Sequence, residues 1–574
     1  MRLIRRILTW IGALTVAALL LIIYAAASFD EQLPDRMILE VDFRKVPVED
    51  SGDEALSILR GETLTIREQV MSIARAAEDD RVLGLIATVG DRRMSLAHVQ
   101  EYSAAIETFK DSGKPAIVFA ESIGGMVPAN GSYLLATAFD EIRLQPSGSV
   151  GLVGLSVEYP FLRGAFDSLG VVPVFGRRHE YKLAPNTFTE NAFTGEHRAA
   201  VEALVGEQYS QLVSGIAFGR DVDEATVREW VDKGPHAAQA AFALGLVDEL
   251  SYADEVRAQF EDVDTEFVEL KTYASGLDSP EGPEIGVIYG AGMIVSGTSR
   301  YDPIASGRAA GSDTVVDAFG DAVEAGVSAI VFRVDSPGGS YVASDAIWRA
   351  MRRAQEAGVP VVVSMGAAAA SGGYLVSTHA DRIVAQPGSI TGSIGVWAGK
   401  FVTQRFWSDL GVEWEEVSTG GAASMGSSLN EFSEDEQARF DALLDGVYDA
   451  FVSRVSDGRE LSREQIDAAA RGRVWTGRQA VGQGLVDLLG GFPEAISAAR
   501  TESGIEASSD VSLVVYPRPK SIAEQVLEGD WEGLGASYGS GLSMVGVAQT
   551  AQKLVDLLRS GSMAWSPWIE TIRF

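Results

Sequence analysis

One passage of this chain occurs twice, and the duplication constrains the fold more than any other feature. The first copy reads Asn130-Gly-Ser-Tyr-Leu-Leu-Ala-Thr and resumes at Gln145-Pro-Ser-Gly-Ser-Val-Gly-Leu-Val-Gly. The second reads Ser371-Gly-Gly-Tyr-Leu-Val-Ser-Thr and resumes at Gln386-Pro-Gly-Ser-Ile-Thr-Gly-Ser-Ile-Gly. The offset stays at 241 residues from Tyr133/Tyr374 through Gln145/Gln386 to Gly170/Gly411. Where the second copy has Ser371 the first has Asn130, and where the first has Lys182 the same offset lands on Ala423. Two copies that have lost opposite members of a reactive pair imply one composite site built from both.

Within the 574 residues, each repeat of roughly 230 residues is long enough to enclose its own core. A 46% apolar content is that of a globular protein. The formal charge of −33 argues against a nucleic-acid partner, which needs a basic face to neutralise phosphates. There are no cysteines, so disulfides, thiol nucleophiles and thiolate metal sites are all excluded. No cofactor and no metal is expected.

Arg2, Arg5 and Arg6 precede an uncharged apolar run, Ile7 to Phe29. Twenty-three residues of helix span about 34 Å, enough for a hydrocarbon core of ~30 Å. The arginines should stay cytoplasmic, which sends the rest of the chain across. A cleaved signal peptide ending near Ala25-Ala26-Ala27 is the competing reading; the length of the run favours an uncleaved anchor.

Beyond the run, strands alternate with helices in both copies. The periodicity predicts strands at Met37–Phe43, Val82–Val89 and Ala116–Ala120, with helices at Leu64–Ala77 and Leu96–Phe109. The second copy repeats the order with strands at Ile285–Tyr289, Ala329–Val334 and Val361–Met365, and helices at Thr314–Ala325 and Ser344–Ala357. This predicts parallel βαβ units in a sheet covered on both faces. Long helices follow, near Gly195–Ser214 and Ser433–Val455, and each copy closes on Gly-Leu-Val-Asp at Gly245 and Gly484. The expected division is an anchor over 1–29, a first repeat over 30–273, a linker over 274–284, a second repeat over 285–515 and a tail over 516–574. The tail, with a helical pattern over Val545–Leu558 and then Trp565 and Trp568, reads as an oligomer contact, with docking at a membrane interface as the alternative.

Ser371 follows a predicted strand and opens a helix, which exposes its hydroxyl at the carboxyl edge of the sheet. The amide of Gly372 then sits at a helix start, where an oxyanion is favoured. In Asp335-Ser-Pro-Gly-Gly-Ser, paired glycines after a strand can turn a backbone N–H inward, and Gly338 is the candidate second donor. The first copy has Val89-Gly-Asp-Arg-Arg-Met there. A serine also needs a base. On the residues alone both a histidine (His179) and Lys182 are open. For Lys182 the pKa must fall from ~10.4 to about 7–8, which burial supplies. Ser393 is the candidate hydroxyl to orient a neutral amine. Each of these residues singly also reads as ordinary turn or surface chemistry; their joint placement in opposite copies is what singles them out.

Ser336-Pro-Gly-Gly-Ser, Ala370-Ser-Gly-Gly-Tyr, Thr391-Gly-Ser-Ile-Gly and Glu180-Tyr-Lys together resemble the motifs of the signal peptide peptidase A family in its long two-repeat form. The resemblance covers roughly residues 37–500 and the N-terminal run. It implies an α/β fold of two tandem Clp-protease/crotonase-like ββα superhelix domains, with Ser371 as nucleophile, Lys182 as general base and Ser393 beside the lysine. It also implies a membrane-anchored homotetramer on the periplasmic side of a bacterial inner membrane, acting on remnant signal peptides. The chain departs from the family after Lys182, where Leu-Ala-Pro replaces a run of small residues. An acyl-CoA enzyme of the same fold and an inactive envelope scaffold are the rival readings.

Overall fold

The computed structural model describes residues 33–45, 48–50, 64–260, 265–278, 280–302, 307–518 and 572–573. The N-terminal apolar run and most of the tail lie outside the described residues. Among the described residues no helix is long and apolar enough to cross a membrane.

The first repeat runs β1 (Met37–Asp42), α1 (Ile66–Glu78), β2 (Val82–Thr88), α2 (Leu96–Asp111), β3 (Ala116–Ala120), α3 (Asn130–Ala136), β4 (Glu141–Leu144), β5 (Val172–Arg178), α4 (Gly195–Arg220), β6 (Glu249–Leu250) and β7 (Glu266–Glu269). The second runs β8 (Glu284–Ala291), α5 (Ser312–Ala325), β9 (Ala329–Ser336), α6 (Tyr341–Glu356), β10 (Val361–Ala370), α7 (Gly372–Leu375), β11 (Arg382–Ala385), β12 (Ile390–Gly392), β13 (Val396–Val402), α8 (Glu434–Arg459), β14 (Val474–Thr476), β15 (Leu488–Leu489) and β16 (Ser512–Tyr516). Polar caps set the helix starts: Thr65 and Glu68 form a reciprocal capping box for α1, and Ser340 accepts from Ala343 N–H at the start of α6.

The sheets carry the duplication in their strand order. The first is β7-β1-β2-β3-β4-β6, and the second, of eight strands, contains the matching run β16-β8-β9-β10-β11-β15, with every one of these neighbours parallel, while β12 and β14 branch from the end of β10. Each repeat ends by laying its last strand beside its first. The same hydrogen bonds recur too. Tyr133 Oη donates to Leu246 O at 2.8 Å and Tyr374 Oη to Leu485 O at 3.0 Å. Arg220 pairs with Asp248 and Arg459 with Asp487, and each aspartate accepts the N–H that opens a strand, Ile142 or Ile383, at 2.7 Å. The strands are apolar and largely buried, as parallel strands covered on both faces must be.

One strand exceeds its predicted length. The sequence ends it at Met365, but β10 runs on to Ala370 because Ala368–Ala370 finds a fresh parallel partner in β12. In the first repeat β3 ends at Ala120, and nine residues separate it from Asn130. The second repeat uses five between Met365 and Ser371.

Among the contacts that join the repeats, two are extensive. β5 pairs antiparallel with β13 over seven residues, from Val172↔Val402 to Arg178↔Val396. On the other side, Arg333 of β9 is 2% exposed and lies between two carboxylates of the first repeat, Glu49 and Glu101, at 2.8 Å each. Gln100 of α2 continues this joint by accepting the Gly388 N–H at 2.7 Å.

Candidate active site

The β5–β13 ribbon delivers Lys182 to the second repeat. Four residues past the end of β5, its Nζ donates to Ser371 Oγ at 3.0 Å, to Ser393 O at 2.9 Å and to Ser393 Oγ at 3.0 Å. The lysine is 4% exposed and, among the described residues, has no carboxylate partner. Burial alone pushes its amine down to about 7. A neutral amine has one lone pair, and only the unprotonated form can take a proton from a serine.

Ser371 stands between β10 and α7 with φ 56 and ψ −118, a left-handed torsion that side-chain-bearing residues seldom adopt. Its N–H donates to Gly392 O at 2.9 Å, which fixes it to β12. Ser393 is left-handed as well, at φ 52, and its N–H donates to Arg473 O at 2.6 Å. Two consecutive segments of one sheet edge are thus bent to face the same amine.

The histidines are all engaged elsewhere. His179 packs edge-on against Tyr448 at 4.6 Å. His98 bonds Glu49, His197 bonds Asn186, His236 bonds Trp230 O, and His379 bonds Trp348. Among the described residues none reaches Ser371, so of the two bases left open by the sequence the geometry favours Lys182.

The glycine pair needs a finer assignment than the sequence allowed. The Gly338 N–H donates to Ser336 Oγ at 3.1 Å, so the amide named from the sequence is already occupied. The amides of Gly339 and Gly372 donate no hydrogen bond among the described residues. Gly338 matters in another way. At φ 102, a Cβ there would lie 2.7 Å from Gly372 N and 2.8 Å from Ser371 Cβ, so only glycine lets this turn lie against Ser371. The helix after Ser371 has four residues, too few for an appreciable dipole, so the direction of the amides rather than the macrodipole carries any oxyanion role. The sequence signal for Gly339 was present in the Gly-Gly pair; which of the two amides is free is a matter of torsion.

Around these groups lies a cleft of about 330 Å³. The first repeat contributes Tyr159 and Leu204, the second Val396, Trp397, Phe451 and Val474. The walls are mainly apolar and the polar groups converge on one point, the arrangement of an enzyme site.

A second polar cluster lies at the joint between the repeats. Glu49, His98 and Asp335 bring ligand-type atoms within 4.8 Å of one another. Glu49 Oε1 already accepts from His98 Nε2 at 2.9 Å and from Arg333 Nη2 at 2.8 Å. A guanidinium at that distance opposes a cation, so the cluster suits a structural role. Burial, reinforced by the Glu49 charge, holds the Asp335 carboxyl above its ordinary value, and its Oδ1 accepts the Ala368 N–H at 2.9 Å, tying β9 to the extension of β10.

The model of peptidase family S49 matches residues 108–266 and 353–506, one segment in each repeat. Protease 4 of Haemophilus influenzae is 31% identical over 474 residues, covering 78% of this chain and 75% of the relative. Protease 4 of Salmonella typhi is 33% identical over 452 residues, with 75% and 71% covered. The chloroplastic serine protease SPPA of Arabidopsis thaliana is 28% identical over 512 residues, with 86% and 72% covered.

Proposed function

This chain belongs to peptidase family S49, and on that footing we propose that it is a membrane-anchored serine endopeptidase with Ser371 as nucleophile and Lys182 as general base. The observation that carries the assignment is the contact of a buried amine, held at about 7, with a strained serine hydroxyl at 3.0 Å.

In the first step Lys182 Nζ takes the proton of Ser371 Oγ as the oxygen attacks the scissile carbonyl. The amides of Gly372 and Gly339 receive the negative charge that forms on the carbonyl oxygen, with the Gly338 turn holding the second amide beside the first. Donors of this kind contribute roughly 10²–10³ each in rate. The protonated lysine then gives its proton to the leaving amine, which departs and leaves an acyl-enzyme on Ser371. Neutral again, Lys182 takes a proton from water as the water oxygen attacks the acyl carbonyl, then returns that proton to Ser371 Oγ as the acyl–oxygen bond breaks and the carboxylic acid product leaves. Ser393 keeps the amine aimed through both halves, because its carbonyl and hydroxyl oxygens accept two of the bonds the amine donates.

The apolar cleft supports an extended apolar peptide as substrate. We assign remnant signal peptides and similar apolar peptides, following the resemblance carried by the four motifs. The uncharged run Ile7–Phe29 after three arginines supports a single-pass anchor with the catalytic part on the extracytoplasmic side of the bacterial plasma membrane. A homotetramer in a Clp-protease/crotonase-like arrangement follows from the same resemblance.

A serine-reactive phosphonate tests the nucleophile. It should label the wild-type protein at Ser371, leave Ser371→Ala unlabelled and label Lys182→Ala far more slowly. Retention of full peptidase activity by Lys182→Ala would end the dyad assignment.

A further inference from the structure

Three consecutive residues of the first repeat, Glu180, Tyr181 and Lys182, are each held by one of three consecutive residues of the second. Arg471 forms a fork on Glu180, Nε to Oε1 at 3.0 Å and Nη2 to Oε2 at 3.1 Å. The Arg473 guanidinium lies 3.8 Å over the ring of Tyr181. Gly472 meets Lys182 itself: a Cβ there would sit 2.3 Å from Lys182 N and 2.6 Å from its Cα. The turn is also bonded through its backbone to the lysine segment and to the Ser393 loop. Tyr181 N–H donates to Arg471 O at 3.1 Å, Ser393 N–H donates to Arg473 O, and Gly472 N–H donates to Ile394 O at 2.8 Å.

We propose that the turn Arg471–Arg473 is a positioning clamp for Lys182, with the Arg471–Glu180 pair as its latch across the joint between the repeats. The inference rests on the reading of Lys182 as the base. Arg471 itself is left-handed at φ 61, and Gly472 follows at φ 83. A non-glycine residue keeps that torsion where its surroundings over-determine it. The surroundings here are Glu180 and Tyr181 on one side and the Ser393 loop on the other. The side chains of Arg471 and Glu180 are 36% and 35% exposed, so their pair contributes little to global stability. Its effect is local. By holding the chain on both sides of Tyr181, the turn keeps the amine out of water and aimed at Ser371. Among the described residues, the charged and titratable groups around this segment include Arg177, Arg178 with Asp441 and Asp445, His179 against Tyr448, Glu180, Asp467, Arg471 and Arg473. Burial, not any of these charges, is what lowers the Lys182 amine.

Glu180→Ala and Arg471→Ala separate a clamp from a charge effect. Removing a nearby negative charge would by itself lower the pKa of Lys182, and removing a positive one would raise it. Loosening the clamp hydrates the amine and raises it in both. The expected result is that both variants move the acid limb of the kcat/KM profile upward by at least about half a unit from near 7, and lower kcat at neutral pH about 10-fold with a smaller change in KM. Melting temperatures should stay within about 2 °C of wild type. The charge-reversed double variant Glu180→Arg/Arg471→Glu should recover most of the loss. Limbs that stay put, or move in opposite directions in the two variants, overturn the clamp. Lys182→Met is the control: if it is inactive while the limbs stay put, only the clamp fails, and if it is fully active, the base assignment fails and the clamp with it.

Discussion

Asn130 and Ser371 hold equivalent places in the two repeats, and their surroundings diverge in backbone as well as in side chain. Asn130 is the first residue of helix α3, and its side-chain amide makes three hydrogen bonds. Its Oδ1 accepts the N–H groups of Val153 and Gly154 at 3.0 Å each, and its Nδ2 donates to Gly154 O at 2.8 Å. The side chain staples down the loop that, in the other repeat, becomes Ile394 and Gly395. Ser371 makes no such staple. Its backbone is forced to φ 56, and its hydroxyl is left to a lysine from 189 residues away. The four extra residues before Asn130 relieve the first repeat of that torsion. Strain goes with the reacting position, and the retired position spends its polar atoms on holding its own loop together.

The comparison breaks most severely at the nucleophile. Ser371→Ala should lower kcat by ~10³-fold or more with the fold intact, measured on any peptide substrate that the wild type cuts. Next comes the joint that holds the halves in register. Arg333→Ala leaves Glu49 and Glu101 without their shared partner and should cost about 3–5 kcal/mol in denaturant unfolding. A stability loss below ~1 kcal/mol there would mean that water takes the place of the guanidinium.

The lysine sharpens the comparison through pH. With its amine at about 7, kcat/KM should rise with pH through that value as the neutral form accumulates. Stability follows the same group in a defined direction. The folded state disfavours the charged amine, so it binds fewer protons than the unfolded chain between about 7 and the ordinary lysine value, and its stability rises with pH across that window. Lys182→Met, which has nothing to titrate, should therefore be more stable than wild type at pH 7 by about 1–3 kcal/mol, with the gap closing towards pH 10. A gap that is constant with pH would show that the amine is charged when buried.

The smallest effect belongs to the retired position. Asn130→Ser gives the first repeat a hydroxyl but no amine, because the residue at the lysine's offset is Ala423. Its expected outcome is unchanged peptidase activity and a loss of about 1–2 kcal/mol from the broken staple, read by thermal unfolding. A gain of phosphonate labelling in a Ser371→Ala background would show that a second base is present.

Much of this was legible in the residues, and the boundary has a physical cause. Strand and helix positions followed from periodicity because buried parallel strands and amphipathic helices write their burial directly into the sequence. The duplication pointed to one composite site, while the choice of Lys182 over His179 as partner of Ser371 rested on the resemblance carried by the four motifs. What escaped was set by contacts between segments far apart in the chain. The extension of β10 to Ala370 depends on β12, which the alanine run does not announce. The choice of Gly339 over Gly338 depends on where Ser336 Oγ points. The burial of Arg333 in apolar β9 depends on Glu49 and Glu101, which arrive from the other repeat.

The antiparallel ribbon of β5 and β13 has a consequence for biosynthesis. The proposed base, Lys182, is translated 189 residues before the proposed nucleophile, Ser371, and the strand that unites them, β13, follows Ser371 in the chain. On that assignment a growing chain cannot complete the reactive pair until β13 has been made.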